Sequence, residues 1–126
     1  MQNLEVNICN PFGILFQEKI SLLLLPCIDG EIGVLHNHIP MIFSLKFGLI
    51  KMLDASNKVS NSFYVDSGVA KISNTDVNIL CNQCCESTNI DEAYVKEKID
   101  LLAKLGNKTS KLDFYKKILE AITKHD

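Results

Sequence analysis

Apolar and polar residues alternate with a period near two over most of the chain, from Leu4 to about Cys81. Turn-forming residues interrupt this pattern roughly every eight to twelve positions. Short alternating segments separated by turns are typical of a β-sandwich or a β-barrel. The predicted strands are Leu4–Ile8, Ile14–Phe16, Ile20–Leu25, Gly33–Leu35, Met41–Leu45, Leu49–Leu53, Val59–Val65, Val69–Ile72 and Val77–Cys81.

Turn residues and one doubly apolar segment refine this prediction. Asn10–Gly13 contains proline and glycine and is predicted to form a turn, while Asp54–Lys58 and Ser73–Asp76 are predicted to form hairpin loops. The segment Ile20–Leu25 is apolar on both faces, which indicates a strand between two layers. Asp29–Gly33 is interpreted as a turn between strands. Because no helical pattern follows it, it is not a phosphate-binding glycine loop.

After Cys85 the period becomes helical. Asn89 is a favourable N-cap residue, and Glu92 three positions later completes an approximate capping box. Gly106-Asn107 is predicted to end this helix, and a second helix is predicted to begin near Ser110. The first helix carries one apolar stripe at Val95, Ile99 and Leu102 and another at Ile90, Tyr94, Leu101 and Leu105; the second carries Leu112, Tyr115, Leu119 and Ile122, flanked by Phe114, Ile118 and Ala121.

These patterns predict two modules, a β-sandwich domain at residues 1–87 and an antiparallel helical hairpin at residues 88–126. The 126 residues are 47% hydrophobic, which is enough for a core without metals or disulfides. All 13 basic residues are lysines and the net charge is −2, so guanidinium clamps are excluded and nucleic acid is a poor candidate partner. We also expect no membrane span and no import signal, and hence an intracellular protein with reduced cysteines.

Two side-chain patterns suggest chemistry. Cys81-Asn82-Gln83-Cys84-Cys85 contains a C-x-x-C spacing, which suits a dithiol redox centre or half of a zinc site. No second ligand pair and no parallel α/β pattern accompany it, so the favoured interpretation is structural thiols, together with Cys9 and Cys27. His36 and His38 share one side of an extended segment and could bind a metal with Asp29 or Glu31, although a polar surface loop is favoured.

No catalytic constellation is evident. Ser21, Ser44 and Ser67 lack the context of a nucleophile elbow, so an acyl-transfer site is not predicted. We therefore expect a non-enzymatic protein without cofactors. The alternatives are a thiol or metal protein that uses the Cys81–Cys85 cluster, and a free-standing β-sandwich binding module.

The segment Leu25–Pro40 resembles the epsilon subunit of F-type ATP synthases. The resemblance lies in Leu25-Pro26, Gly30-Glu31, Gly33-Val34-Leu35, Asn37-His38 and Pro40, and it continues through Leu45–Gly48, Phe63–Ala70, Val77–Leu80 and Ile90-Asp91. Two positions depart from the family pattern: Cys27 replaces glycine and Phe47 replaces proline. The resemblance implies a flattened ten-stranded β-sandwich followed by a two-helix hairpin, which agrees with the architecture predicted from periodicity.

The resemblance also implies a central-stalk rotor subunit at the cytoplasmic face of the bacterial plasma membrane. Its sandwich would bind the gamma subunit and the c-ring, with Glu31 in an exposed turn facing the c-ring and His38 facing gamma. Asp91 matches a nucleotide-binding position of some relatives, but the arginine of that motif is missing, so we expect weak or no ATP binding. Lys111, Lys116, Lys117 and Lys124 make the second helix basic. They form either a solvated face, which is favoured, or a brake on the alpha/beta catalytic head.

Overall fold

The computed structural model describes residues 3–88, 90–106 and 110–124. The chain separates into two compact units, with the boundary between Glu86 and Ser87. The first contains ten β-strands and the second two α-helices, as predicted. The strands are β1 Leu4–Asn10, β2 Gly13–Ile20, β3 Leu22–Cys27, β4 Gly30–Val34, β5 Met41–Leu45, β6 Gly48–Leu53, β7 Val59–Val65, β8 Gly68–Ile72, β9 Asp76–Cys81 and β10 Cys84–Glu86; the helices are α1 Glu92–Lys104 and α2 Ser110–Lys124.

The strands form one curled sheet whose halves make two layers. The order is β10-β7-β6-β3-β5-β8-β9-β1-β2, with β4 paired to the other edge of β3. Neighbours are antiparallel except for the parallel pair of β1 and β9. The halves are joined between β3 and β5 through the pair Cys27–Leu45. Phe16 of β2 and Phe63 of β7 meet with ring centroids 4.7 Å apart, so the two halves pack face to face.

Alternation along the strands builds the core of the sandwich. In β1, Leu4, Val6 and Ile8 are fully buried while the residues between them are partly exposed. The same period in other strands places one apolar face of each half between the layers, where burial of apolar surface stabilises the fold. Among the described residues no polar or charged residue is buried. The fully buried side chains include Leu4, Ile8, Leu23, Leu25, Ile50, Met52, Ile72 and Ile79.

Several predicted strand boundaries are wrong. The predicted strand Ile20–Leu25 is divided at Ser21, because Ile20 ends β2 and pairs with Leu4, while Leu22 begins β3 and pairs with Leu53. The predicted strand Ile14–Phe16 is the first part of the longer β2, which pairs along the whole of β1. Periodicity marks buried faces, whereas pairing partners fix where a strand starts and stops.

The predicted turn Asp29–Gly33 is also wrong. The turn consists of Ile28 and Asp29, and β4 begins at Gly30 instead of Gly33. Gly30 has φ 128°, a conformation that glycine tolerates, so pairing with Cys27 starts directly after the turn. The sequence pattern also missed β10, a three-residue strand that pairs with Phe63, Tyr64 and Val65 of β7. The predicted loop at Asp54–Lys58 is confirmed, and the Ser73 loop ends one residue earlier, before β9.

The helical unit uses the apolar stripes that the sequence indicates. In α1 the stripe of Val95, Ile99 and Leu102 is buried or half-buried, whereas Tyr94, Leu101 and Leu105 are exposed. In α2, which packs against α1, the buried residues are Leu112, Phe114, Tyr115 and Ile118. Neither helix in the described part of the chain has the length and apolar character that a bilayer crossing requires.

The N-cap of α1 differs from the prediction, whereas the predicted end of the helix at Gly106 is confirmed. Asp91 is the N-cap: its Oδ1 accepts a hydrogen bond of 2.8 Å from the backbone N–H of Tyr94. The predicted N-cap, Asn89, lies outside the described residues. Leu105 is the C-cap, and Gly106 follows with φ 67°, the left-handed conformation in which glycine commonly ends a helix. The predicted stop residue Asn107 also lies outside the described residues.

Candidate partner-binding surfaces

The strand register divides the loops of the sandwich between two opposite ends. At one end, which we call the Glu31 end, lie the loops that join β1 to β2, β3 to β4, β5 to β6, β7 to β8 and β9 to β10. The pairs that align this end are Cys27–Gly30, Cys27–Leu45, Leu45–Gly68, Gly68–Cys81, Gly48–Val65 and Cys84–Val65. The opposite end, the His38 end, carries the loops after β2, β4, β6 and β8.

Glu31 is a strand residue and not a turn residue as predicted. It is the second residue of β4, immediately after the turn of Ile28 and Asp29, because pairing with β3 reaches Gly30. Its Oε2 lies 3.9 Å from Nζ of Lys51, and both side chains are substantially exposed. Such a surface ion pair is worth about 0–1 kcal/mol. Breaking this ion pair therefore costs little free energy, so the Glu31 carboxylate is available to a cationic partner.

Large apolar side chains stand exposed at the tips of the same end. Phe12, in the turn between β1 and β2, is 96% exposed, and Ile28 beside Glu31 is 62% exposed. Asn10 fixes the first turn, since its Oδ1 accepts a hydrogen bond of 2.8 Å from the N–H of Phe12. Exposed apolar groups beside charges are typical of interaction sites. Sequence reasoning treated Phe12 only as a turn residue; a bulky aromatic between Pro11 and Gly13 was the available signal.

A cleft adjoins Glu31 on this end. It has a volume of about 320 Å³ and is lined by the β3–β4 turn and by β5, including Ile28, Glu31, Ile42 and Ser44. Ile42 is 68% exposed. The surface around Glu31 thus combines a carboxylate, a concave wall and apolar rims, which is suited to a protein loop rather than to a reactive small molecule.

His38 lies in the loop between β4 and β5, at the opposite end of β4. Its backbone N–H donates to the carbonyl of Leu35 at 3.2 Å, and its Nδ1–H donates to the carbonyl of Ile39 at 2.7 Å. Because a carbonyl can only accept, Nε2 is the ring nitrogen left for a partner. Asn37, with φ 68°, donates its N–H to the carbonyl of Asn74 at 2.6 Å, which ties the loop to the β8–β9 loop.

The His38 end also carries exposed apolar residues. Ile39 is 75% exposed, and Leu35 and Val59 are exposed as well. A second cleft, of about 410 Å³, opens beside this loop and is lined in part by His36, Asn37, Asp54 and Asn57. The His38 end therefore combines exposed apolar residues with polar groups, His38 among them.

The less favoured alternative, a metal site at His36 and His38, does not fit the strand positions. The suggested third ligands, Asp29 and Glu31, lie at the other end of β4. Across residues 3–88, 90–106 and 110–124, no three His, Cys, Asp or Glu side chains are arranged to hold a metal ion.

All five cysteines are free thiols. Cys81 is buried at the end of β9, facing inward as predicted, although β9 is followed by β10.

Asp91, the predicted vestigial nucleotide position, has a structural task. Its carboxylate caps α1 through the N–H of Tyr94, and Glu92 in the first turn pairs with Lys96 at 3.0 Å. The positive end of the helix dipole stabilises the carboxylates of Asp91 and Glu92. The carboxylate of Asp91 is therefore already engaged by the backbone.

The two departures from the family pattern lie at the end of β3 and in the loop between β5 and β6. Cys27 is buried as the last residue of β3, and burial, followed by the charge of Asp29, raises the pKa of its thiol. Phe47, between β5 and β6, stacks on Tyr64 with centroids 6.1 Å apart and an interplanar angle of 14°. An aromatic contact thus occupies the place where the pattern has proline.

Comparisons with known proteins agree with this architecture. The family described as "ATP synthase, Delta/Epsilon chain, beta-sandwich domain" matches residues 3–87. The ATP synthase epsilon chain of Rickettsia bellii (strain OSU 85-389) is 34% identical over 104 residues, covering 82% of this chain and 96% of the relative. That of Rickettsia typhi is 29% identical over 107 residues, covering 84% and 97%.

Two solved assemblies contain chains of similar fold. One belongs to the Euglena gracilis mitochondrial ATP synthase, OSCP/F1/c-ring (TM-score 0.67, 16% identity, 82% of this chain and 66% of that chain). The other belongs to the central stalk/c-ring of the Tetrahymena thermophila mitochondrial ATP synthase (TM-score 0.57, 12% identity, 94% and 97%). At these identities the solved structures support the fold, while the family match and the Rickettsia relatives identify the protein family. The chain belongs to the family of ATP synthase epsilon chains.

Proposed function

We propose that this chain is a non-catalytic rotor subunit of a proton-translocating F-type ATP synthase. In this role it couples rotation of the c-ring, through the gamma subunit, to ATP synthesis. Family membership supports the proposal, as do the central-stalk and c-ring assemblies that contain chains of similar fold. As part of that complex it would lie peripherally at the cytoplasmic face of a bacterial plasma membrane.

The observation that carries the proposal is the placement of Glu31 and His38 at opposite ends of β4. The five residues of β4 span about 13 Å, and the strand is hydrogen-bonded to β3 along its whole length. A paired strand within a close-packed sandwich is stiff, so a force applied at one end is transmitted to the other. Rotary coupling requires this property and no reactive group.

The chemistry of each end favours a different partner. At the Glu31 end, which also carries Phe12, the exposed carboxylates of Asp29 and Glu31 stand beside Ile28, which suits polar loops that carry cations, as we propose for the c-ring. The His38 end carries exposed apolar residues such as Ile39, Leu35 and Val59, which suits a more apolar partner surface, as we propose for gamma.

Charge reversal at one end and polar substitution at the other test this assignment. In the reconstituted complex, Glu31→Lys should reduce ATP-driven proton pumping while gamma still co-purifies, since only the c-ring contact is altered. Ile39→Asp should reduce co-purification with gamma. Glu97→Lys, the same charge change at an exposed position of α1, is the matched control and should alter neither. Loss of gamma binding in Glu31→Lys, or normal pumping, would refute the assignment.

The role proposed for the helices is narrower. Lys111, Lys116, Lys117 and Lys124 are all exposed, which fits a solvated face and equally supplies cations for an acidic pocket in the catalytic head. Replacing all four with glutamine, alongside deletion of residues 88–126, separates these alternatives. Increased ATP hydrolysis by the complex in both variants supports the brake, and unchanged hydrolysis assigns a solvated face.

We further propose that the chain does not sense ATP. The sequence has no arginine, and the carboxylate at the matching position, Asp91, caps α1. Titration calorimetry with the full-length chain should give no binding at micromolar ATP, and a measurable micromolar affinity would refute this part of the proposal.

A further inference from the structure

Two thiols of the Cys81–Cys85 cluster, those of Cys81 and Cys84, have no part in the proposed rotor role. Cys81 ends β9 in one layer of the sandwich, and Cys84 begins β10 in the other layer, with Asn82 and Gln83 between them. Cys81 is buried, and Cys84 packs against the core cluster. The two thiols therefore face the same interior space from opposite sides of a crossover between layers.

Hydrogen bonds hold this crossover in place. It runs beside the β7–β8 crossover, where the N–H and the side-chain amide of Gln83 donate to the two carboxylate oxygens of Asp66, each at 3.3 Å, and the N–H of Asp66 donates to the carbonyl of Gln83 at 3.3 Å. Asp66 also accepts from the N–H of Ser67 at 2.7 Å. These hydrogen bonds fix both crossovers where the Cys81 and Cys84 side chains interact. The Cys81 thiol also donates to the carbonyl of Cys9 at 3.7 Å.

A surface cleft lies directly beside the buried Cys81. Cys81 is part of the wall of a cleft of about 290 Å³ at the Glu31 end, together with Pro11, Ser67, Gly68, Leu80 and Asn82. A hydroperoxide is small enough to enter such a cleft, whereas a protein thiol oxidase is not. A second thiol next to the first is the feature of a cysteine that forms a disulfide after oxidation.

We propose that Cys81 and Cys84 form a reversible redox site that hydroperoxides oxidise to a disulfide. In the first step the Cys81 thiolate attacks one peroxide oxygen, the O–O bond breaks, and Cys81 becomes a sulfenic acid while hydroxide leaves and takes up a proton as water. In the second step the Cys84 sulfur attacks the Cys81 sulfur, the S–O bond breaks, and the thiol proton leaves with the hydroxyl group as water. Two thiols are oxidised and one hydrogen peroxide is reduced to two waters.

The local environment assigns the order of the two cysteines. The hydrogen bond from Cys84 lowers the pKa of Cys81, against the opposing effects of burial and of the Asp66 charge. The same hydrogen bond, followed by burial, raises the pKa of Cys84. Because Cys81, unlike Cys84, also lines the cleft, we assign Cys81 as the attacking thiol and Cys84 as the resolving thiol. The product links the two layers covalently at their crossover.

Mass spectrometry of the oxidised full-length chain tests the proposal. The protein is treated with stoichiometric hydrogen peroxide, blocked with N-ethylmaleimide in denaturant, reduced, labelled with iodoacetamide and digested with trypsin. Since the nearest lysines are Lys71 and Lys96, one peptide carries Cys81, Cys84 and Cys85, and fragmentation distinguishes them. Cys81 and Cys84 should carry the second label, and dithiothreitol treatment before blocking should remove it.

Variants sharpen the outcome. Cys85→Ser, which removes the adjacent half-buried thiol, is the matched control and should leave disulfide formation unchanged. Cys84→Ser should stop at the sulfenic acid of Cys81, which dimedone traps, and Cys81→Ser should slow oxidation of Cys84 by at least about tenfold. A second label on Cys85, an even label over all five cysteines, no label at all, or equal disulfide formation in urea would overturn the proposal. The unmodified chain alone supplies these outcomes, so the test does not depend on the folding of any variant.

Discussion

The core of the sandwich joins residues that are far apart in the sequence, whereas the helical unit packs two consecutive helices against each other. In the sandwich, β1 pairs with β9, so Val6 lies beside Val77, and one continuous cluster fills the space between the layers. In the helical unit the buried residues, such as Val95 and Ile118, lie on two neighbouring helices, and α1 leaves Leu101 exposed. The sandwich is therefore a rigid support whose ends can engage partners, whereas short helices of this kind owe their stability to packing.

Core truncation in each unit should separate the two regions most clearly. Ile50 of β6 and Ile118 of α2 are both fully buried, so Ile50→Ala and Ile118→Ala should each cost about 2–5 kcal/mol locally. Amide hydrogen exchange of the full-length chain should show faster exchange across the strands in the first variant. In the second, exchange should rise in α1 and α2 alone. Identical global changes in both variants would show one cooperative unit and break the comparison.

A backbone contact in the sandwich should give the next largest effect. A Cβ on Gly68 of β8 would lie 2.2 Å from the carbonyl oxygen of Leu80, which belongs to the neighbouring strand β9. Gly68→Ala must therefore push β8 and β9 apart, and we expect a loss of about 3 kcal/mol in urea unfolding. Gly33→Ala is the matched control, because its Cβ would meet Leu22 at an ordinary 3.5 Å. Equal stability of the two variants would mean that the ladder is more compliant than the proposed rotor role requires.

The helical unit should respond to the loss of its cap. Asp91→Ala removes the acceptor for the N–H of Tyr94 and should destabilise α1 by about 1 kcal/mol, seen as lower helical ellipticity on urea titration. Asp100→Ala, at an exposed position within the same helix, is the control and should change stability by about 0.5 kcal/mol or less. An effect of Asp100→Ala as large as that of Asp91→Ala would argue against the cap.

The sequence predicts features that depend on local patterns, and it does not predict features that depend on strand pairing. Leu4, Val6 and Ile8 alternate strictly, and the helical stripes recur at fixed spacing, so local patterns were enough to identify buried faces. The bounds of β4 and all of β10 could not be predicted, because they are set by pairing with β3 and β7, which are distant in sequence or separated by a turn.

The candidate surfaces follow the same rule. The resemblance supplied Glu31 and His38, but their opposite placement depends on the register of β4 against β3. The exposure of Phe12 and the meeting of Cys81 with Cys84 arise from turns and crossovers between layers. Such features depend on tertiary structure and leave no periodic signal in the chain.

Alkaline pH should weaken the sandwich through Cys85. Burial raises the pKa of this thiol from 9.0 to about 11. The folded state therefore favours the neutral thiol, so this contribution to stability is intact below about pH 9 and is lost as pH rises towards about 11. Urea unfolding at about pH 8 and about pH 10 should show a smaller alkaline loss for Cys85→Ser than for the unsubstituted chain. The same loss in both would exclude Cys85 as a source of the pH dependence.

The smallest effect on stability is expected at the residue assigned the greatest role in coupling. Glu31→Gln removes the charge that faces Lys51 at 3.9 Å, and because both side chains are exposed, the free energy of unfolding should change by about 0.5 kcal/mol or less. Lys51→Gln, which breaks the same ion pair from the other side, should match it in urea unfolding. In the reconstituted complex the two should differ, with Glu31→Gln lowering ATP-driven proton pumping and Lys51→Gln leaving it unchanged. Equal pumping by the two variants would mean that the only role of Glu31 is its ion pair with Lys51. This result would refute the assignment of the Glu31 end as a c-ring contact.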